Sequence, residues 1–427
     1  MPDAGSKTTV QEAAAAAPGR RPRVALVVWG YPFDKSPSLQ NLARDLAPDH
    51  DLSLWVDPRH ARGLPPDLAA LLALPPPPAE PVAAGSAYER SALENFVRRH
   101  LPGPLRTLAR EAYVARELLS GLGAFVRALR DAQRTKPADV VIAADKSSLL
   151  ACWRAGLVAR LYFSLEATPL AEETSIAGRW LNRLETRHVR RHRPMVIAQS
   201  PARATLVQPD RARQVIVPVT SDGEPLPPSA WLRQRHGIAP QQRVLLIAGG
   251  LGVDQLTPEI VQAAAQWDER LVLVLHSASG RYPPELLALA QQPALAGRVK
   301  LSADHFTIDE AEQRVYAGAD LGIVYYRDLG FNFRHTAYSS GKLAAFLRAG
   351  VPVIVPPFPE FEQAVREHGY GACATVESMG AVALQLLERY DTLREATRTA
   401  FTGVYQHQPY RGRVAAALQR LLQEQAA

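Results

Sequence analysis

The sequence predicts an α/β protein made of two doubly wound, parallel-sheet domains that face each other across a cleft. Three observations lead there. At 427 residues the chain is longer than one hydrophobic core ordinarily organises. Its short apolar runs are continuous rather than alternating, as strands covered on both faces require, and segments of helical period separate them. Two such series flank a polar, proline-rich stretch at residues 221–230 that reads as an interdomain linker.

The first series opens with residues 24–29, rich in β-branched side chains and ended by Gly30, and a helix is expected from Pro37. A second strand at 52–56 precedes residues 64–81, where four consecutive prolines from Pro75 to Pro78 exclude helix or central strand, so an exposed insertion is expected. Residues 87–134 have helical period and repeated arginines (Arg90, Arg98, Arg99, Arg106, Arg110, Arg116, Arg127, Arg130, Arg134). Strands follow at 140–144, 161–163, 195–198 and 215–217, with a helix at 178–193 that carries Arg187, His188, Arg190, Arg191, His192 and Arg193. The second series places strands at 244–248, 271–275, 299–301, 321–325, 353–355 and 372–375, and a last helix at 410–425. The expected organisation is a disordered leader (1–22), an N-terminal domain (23–218), a C-terminal domain (219–403) and a C-terminal helical segment (404–427).

Composition narrows the class. With 47% hydrophobic and 21% charged residues the chain reads as an ordinary globular protein, and no apolar run is long enough for a membrane span. The polar N-terminus does not fit a signal peptide, so a cytoplasmic protein is expected. Cys152 and Cys373 fit no metal-ligand or redox spacing. The net charge of +7 is unevenly placed: residues 1–218 hold 30 Lys and Arg against 21 Asp and Glu, the rest 19 against 21. A basic N-terminal half points to an anionic partner, expected to be a membrane surface at which the protein is peripheral. Nucleic acid is not expected, because aromatic residues do not interleave with the basic ones. The opposing reading of the basic runs is a solvated helix face.

The strongest local motif runs from Tyr338 through Ser339, Ser340, Gly341 and Lys342, along an apolar helix, to Gly350 and a buried strand. A glycine-containing turn that opens a helix offers free N–H groups and the positive end of the helix dipole, and Lys342 adds a formal charge; together they favour a phosphate. The alternative is that Ser339 simply caps the helix. Gly249, Gly250 and Gly252 would let the backbone approach a ligand across the cleft, although a tight βα turn explains them as well. His276 follows a strand at its carboxyl edge and is either a ligand contact or a structural histidine.

This order of parts resembles the GT-B sugar-nucleotide glycosyltransferases, in particular the broad family-4-like group. The resemblance rests on Ala319-Asp320-Leu321-Gly322-Ile323-Val324 before the donor loop, on the Ser339-Ser340-Gly341-Lys342-Leu343 start, on Gly350-Val351-Pro352-Val353-Ile354, and on the loop Ile247 to Gly252. Weaker N-terminal elements join it: Val28-Trp29-Gly30-Tyr31, the run Tyr162 to Glu166, Leu184-Glu185 and the run Ile197 to Ser200. It covers roughly residues 22–400 and implies a sugar nucleotide, UDP- or GDP-linked, as a substrate held mainly by the C-terminal half, with no cofactor and no metal. The sequence departs from the group where retaining members carry two glutamates, since Ala337 and Ala345 stand there; the resemblance then leaves Asn332 and Tyr338 as the nearest polar candidates for the donor.

Transfer needs a base for the acceptor if configuration inverts. Asp145 and Glu166, each directly after a strand, are the leading candidates, with Gly30, Tyr31 and Asp34 after the first strand lining the acceptor side; an N-cap or a surface carboxylate is the alternative for each acid. Asp49-His50-Asp51 imitates a metal-binding triplet but precedes a strand, away from the cleft. The expected function is transfer of a sugar to a saccharide or lipid-linked acceptor in surface polysaccharide or glycolipid synthesis. A sugar-nucleotide epimerase of the same fold and an inactive binding or scaffold protein are the alternatives.

Overall fold

The computed structural model describes residues 20–62, 64–74 and 103–426. The N-terminal sheet contains β1 (Arg23–Val28), β2 (Asp51–Val56), β3 (Val140–Ala144), β4 (Ala159–Phe163), β5 (Met195–Ala198) and β6 (Gln214–Ile216), in the order β2-β1-β3-β4-β5-β6. The C-terminal sheet contains β7 (Arg243–Ala248), β8 (Leu271–His276), β9 (Val299–Ser302), β10 (Leu321–Ile323), β11 (Val353–Val355) and β12 (Gly371–Cys373), in the order β12-β11-β10-β7-β8-β9. Every strand pairing is parallel. All twelve strands fall on the expected runs, shifted by one or two residues at some ends.

Both sheets are buried on both faces, which is why their strands read as unbroken apolar runs. In β1, Val24, Leu26 and Val28 pack into one core, and Ala25 and Val27 into the core on the opposite face. The C-terminal sheet is divided in the same way, with Leu246 on one side and Leu245 and Ile247 on the other. Asp320 explains the Ala-Asp pair before β10: its carboxylate takes Arg233 at 2.7 Å, Arg243 at 3.2 Å and the Val244 amide at 2.7 Å, tying β10 to β7.

The strand order reverses at β1/β3 in the first sheet and at β7/β10 in the second. At such switch points the loops leaving the carboxyl ends diverge and open a crevice. The chain passes between the domains twice, after β6 and again near His407. There Asp45 and His407 meet at 2.9 Å, and His407 also contacts Thr220 at 3.0 Å, fixing both crossings to the helix Pro37–Leu46. The helix Arg413–Ala426 then lies on the N-terminal domain, with Val414, Ala417, Leu418 and Leu421 in the same core as β1 and β2.

The expected exposed insertion at 64–81 needs correction in its first part. Residues 66–69 form a short helix, Leu68 is fully buried, and 71–73 hydrogen-bond along β2 through the Leu71 carbonyl and the Ala73 amide, covering the sheet edge. Pro75 to Pro78, Arg90, Arg98 and Arg99 lie outside the described residues, as does most of the expected leader.

The C-terminal helix is therefore predicted to hold up the N-terminal domain. Leu418→Ala should cost about 2–5 kcal/mol, read as a lower urea midpoint by circular dichroism. Leu418→Met, close in volume, should lose less than about 1.5 kcal/mol. An unchanged midpoint in the Ala variant would mean that this helix contributes nothing to the core.

Candidate active site

On the N-terminal side, the β1/β3 switch point gathers Gly30, Tyr31, Asp145 and Glu166. Gly30 turns the chain at φ +68°, where a larger residue is strained, and its amide donates to the fully buried Asp57 at 3.3 Å. Ser148 accepts from the Trp29 amide and Ser147 donates to the Trp29 carbonyl, so β1 and the helix Asp145–Ala155 hold this loop between them. Asp145 begins that helix in the left-handed region at φ +66°, a conformation Asp tolerates better than most residues. Its carboxylate accepts from the Glu166 amide at 3.3 Å. Burial, then the neighbouring Glu166 charge, pushes Asp145 up to about 7, while Lys146 opposes the rise. The same burial and the same two carboxylates raise the Tyr31 hydroxyl. Beneath them Tyr162 donates to the buried Glu185 at 2.6 Å, which gives Glu185 a structural place in the core. Asp34 stands apart, with its carboxylate 3.7 Å from His60.

On the C-terminal side, the β7/β10 switch point brings the glycine loop against the Ser340 turn. The cap of the helix Gly341–Arg348 is Ser340, not Ser339: its oxygen accepts from the Leu343 amide at 3.3 Å and meets the Tyr326 hydroxyl at 2.8 Å. Ser339 donates to the His335 carbonyl instead. The Gly341 and Lys342 amides have no partner among the described residues. The Lys342 ammonium reaches across to the Gly250 carbonyl at 3.2 Å and lies 5.9 Å from the Tyr326 ring centre. It makes no ion pair among the described residues, and burial alone pulls it down to about 8. Gly249, at φ +89°, leaves room for it: a Cβ there would sit 3.1 Å from the lysine stem. Gly252 opens the short turn Val253–Gln255 beside this loop.

Other expected donor residues have different surroundings. His276 is 2% exposed, bonds Ser302 at 3.0 Å and stacks near Phe306, so its ring packs towards the end of β9. Tyr338 stacks on Tyr405, with burial pushing its hydroxyl up to about 12. Asn332 turns towards the other domain and accepts from the Ala167 amide at 3.3 Å. Ala337 and Ala345 are buried, and the Ala337 amide donates at 3.0 Å to the buried carboxylate of Glu360. In the Asp-His-Asp triplet, His50 bonds the Leu46 carbonyl and Asp51 pairs with Lys136 at 2.6 Å.

The residue that joins the two sides had no sequence signal. Arg203, only 2% exposed, donates from the N-terminal domain to the carbonyls of Leu165 (2.9 Å), His335 (2.8 Å) and Asn332 (2.6 Å). Glu172 reinforces the contact by accepting from the Phe331 amide and from Arg334 at 2.7 Å. Segment 331–335, which leads into the Ser340 turn, is thus held by the loop that carries Glu166. Arg203 sits in an ordinary amphipathic stretch, and only the folded chain shows that it faces three carbonyls.

Comparison with solved structures decides the architecture. Sucrose-phosphate synthase from Thermosynechococcus elongatus matches at a TM-score of 0.64 and 14% identity, over 95% of this chain and 100% of that one. HepE of Anabaena in complex with UDP-glucose matches at 0.61 and 16%, over 94% and 100%. The chain has the GT-B fold. WaaG, a glycosyltransferase involved in lipopolysaccharide biosynthesis, matches at 0.54 and 16%, over 89% and 95%. No family model and no curated protein matches the sequence. In this GT-B chain the two switch points form the facing walls of the cleft, one acidic and one carrying Lys342.

Two predictions follow from this geometry. The Asp145 carboxyl keeps its proton to about pH 7 in the fold but only to about pH 4 in an unfolded chain, so the stability it contributes is complete below about pH 4 and is lost as pH rises through about 7. Asp145→Asn should therefore melt higher than the parent at pH 8 and match it at pH 4; equal melting at both values would mean that the carboxyl is not perturbed. Arg203→Met leaves three carbonyls without their donor, and limited proteolysis should then cut the 328–336 segment at least about tenfold faster, given roughly 1.5–3 kcal/mol per charged hydrogen bond. Unchanged cleavage would show that the two walls are held together by other contacts.

Proposed function

We propose that the protein is a glycosyltransferase that moves a hexose from a UDP- or GDP-linked donor to a saccharide or lipid-linked acceptor, in surface polysaccharide or glycolipid synthesis. The carrying observation is Lys342, a half-buried cation without an acidic partner among the described residues, set between a glycine loop and the open N-terminus of an eight-residue helix. Such a site carries about one and a half positive charges, one from Lys342 and about half from the helix N-terminus, which a diphosphate would compensate. HepE, which shares the fold, was solved with UDP-glucose, and WaaG is a glycosyltransferase; both support the reading.

In this reading the donor diphosphate accepts from the Gly341 and Lys342 amides and from the Lys342 ammonium. As the bond from the sugar to the phosphate breaks, the charge that develops on the leaving nucleotide falls on these groups, which need no reorganisation to receive it. The acceptor hydroxyl approaches from the N-terminal wall. Its oxygen bonds the anomeric carbon, and its proton passes to Asp145 or Glu166. Asp145, poised near neutrality, is suited to taking and releasing that proton. Lys342 meets the phosphate charge itself, so the scheme calls for no divalent ion.

Isothermal titration with UDP and GDP tests the phosphate site. Lys342→Met should weaken both by roughly 10–100-fold, the cost of about 1.5–3 kcal/mol for a charged hydrogen bond. In the parent protein affinity should decline as pH rises past about 8, where Lys342 loses its proton, and this decline should vanish in the variant. Equal affinity in both proteins would place the phosphates elsewhere. For the acids, Ala at the true base should lower kcat by about 10²–10⁴ with donor affinity unchanged. Full activity in both single variants would remove Asp145 and Glu166 from the mechanism.

A further inference from the structure

The helix Ile176–His192 packs Asn182, Glu185 and Val189 inward and turns one continuous stripe outward: Ile176, Trp180, Arg183, Arg187, Arg190 and Arg191. These positions recur at three- and four-residue spacing and so share a face. The first turn of the stripe is apolar. Ile176 is 64% exposed and Trp180 43%. Trp153, 59% exposed on the neighbouring helix, meets Trp180 with ring centres 6.3 Å apart. Two adjoining tryptophans and an isoleucine left in water are costly unless something covers them.

The rest of the stripe is cationic and uncompensated. Arg134 and Arg193 pair with Asp131 and Asp210, but Arg183, Arg187, Arg190 and Arg191 have no carboxylate within ion-pairing distance among the described residues. Arg160, exposed on β4, adds its charge near His192 at the far end. The acids on this side are used elsewhere: Glu111 binds the amides of Ile176 and Ala177 at the helix start, and Glu185 is buried against Tyr162.

We infer that this face docks on a bilayer surface bearing anionic lipid headgroups, with Trp153, Ile176 and Trp180 entering the interface and the arginines lying over the headgroups. Indole rings are at home at the boundary of headgroup and chain, and guanidinium groups are drawn to lipid phosphates. A second copy of the same face would set arginines against arginines, which disfavours self-association there. No helix among the described residues is long and apolar enough to cross a membrane, so attachment is peripheral and reversible. The inference does not rest on the transfer reaction, and it gives a use to part of the basic excess of the N-terminal half.

The test is co-sedimentation of the full chain with vesicles of phosphatidylcholine alone or with 30% phosphatidylglycerol, roughly the anionic content of a charged leaflet. Binding is expected only to the anionic vesicles and should fall as salt shrinks the Debye length from about 10 Å to about 3 Å. The Trp153→Ala/Trp180→Ala and Arg183→Glu/Arg187→Glu pairs should each lower binding at least about tenfold, given roughly 1 kcal/mol per basic residue near the surface. Their melting temperatures should stay near the parent's, because all four side chains are exposed. Brominated lipid should quench the parent's tryptophan fluorescence and not that of the tryptophan variant. Equal binding to neutral vesicles, no binding to either, variants that bind like the parent, or displacement by an equal charge of RNA would each overturn the inference.

Discussion

Parallel strands buried on both faces leave one region free for chemistry, the loops at their carboxyl ends, and this constraint shapes the whole molecule. Each sheet is covered on both sides by helices, so its interior positions are mostly apolar, and the polar side chains among them, Tyr162, His276 and Ser302, are hydrogen-bonded. Where strand order reverses, adjacent loops part and the crevice opens. The N-terminal sheet reverses beside Asp145 and Gly30, and the C-terminal sheet beside Gly249 and Tyr326. Two sheets set with these edges facing each other create the cleft without any further device.

Electrostatics then divides the labour between the walls. The N-terminal wall crowds Asp145 and Glu166 beside Tyr31, where burial and then the Glu166 charge raise the proton affinity of Asp145, and burial and then the two carboxylates raise that of Tyr31. The C-terminal wall holds Lys342 in a place that penalises its charge and, among the described residues, gives it a carbonyl but no acidic partner. A neutral cleft would need neither. Arg203 lies between them, its basicity lowered by burial and restored in part by Glu360, Glu166, Tyr31 and Asp145, so the linker between the walls is itself sensitive to charge on both. Most of its bonds go to backbone carbonyls, three of them, which ties down the shape of the loops. Glu360 works in a related way: its carboxylate, in the first turn of the helix Pro359–His368 after β11, accepts from the Ala337 amide and so ties that helix to the segment before the Ser340 turn.

Sequence alone determined the twelve strands, the two-domain division and the turn around Ser340 and Lys342, because buried parallel strands and helix-opening glycine turns are local patterns. Apolar runs bounded by turns cannot hide, and they do not depend on distant partners. It located Asp145 and Glu166 by the same logic, since a residue just past a strand lies at the sheet edge. What depends on distant partners was decided by tertiary structure. Ser340 rather than Ser339 became the cap because Tyr326, fourteen positions earlier, comes to meet its hydroxyl. His276 and Tyr338 were drawn into aromatic packing, residues 66–73 were folded onto an open sheet edge, and the last helix was carried back to the first domain. Arg203 and Glu360 gained their places from carbonyls and amides 23 to 132 positions away. No local pattern encodes such pairings, because hydrogen bonds between backbone and side chain are set by how elements pack, and packing is a property of the whole chain.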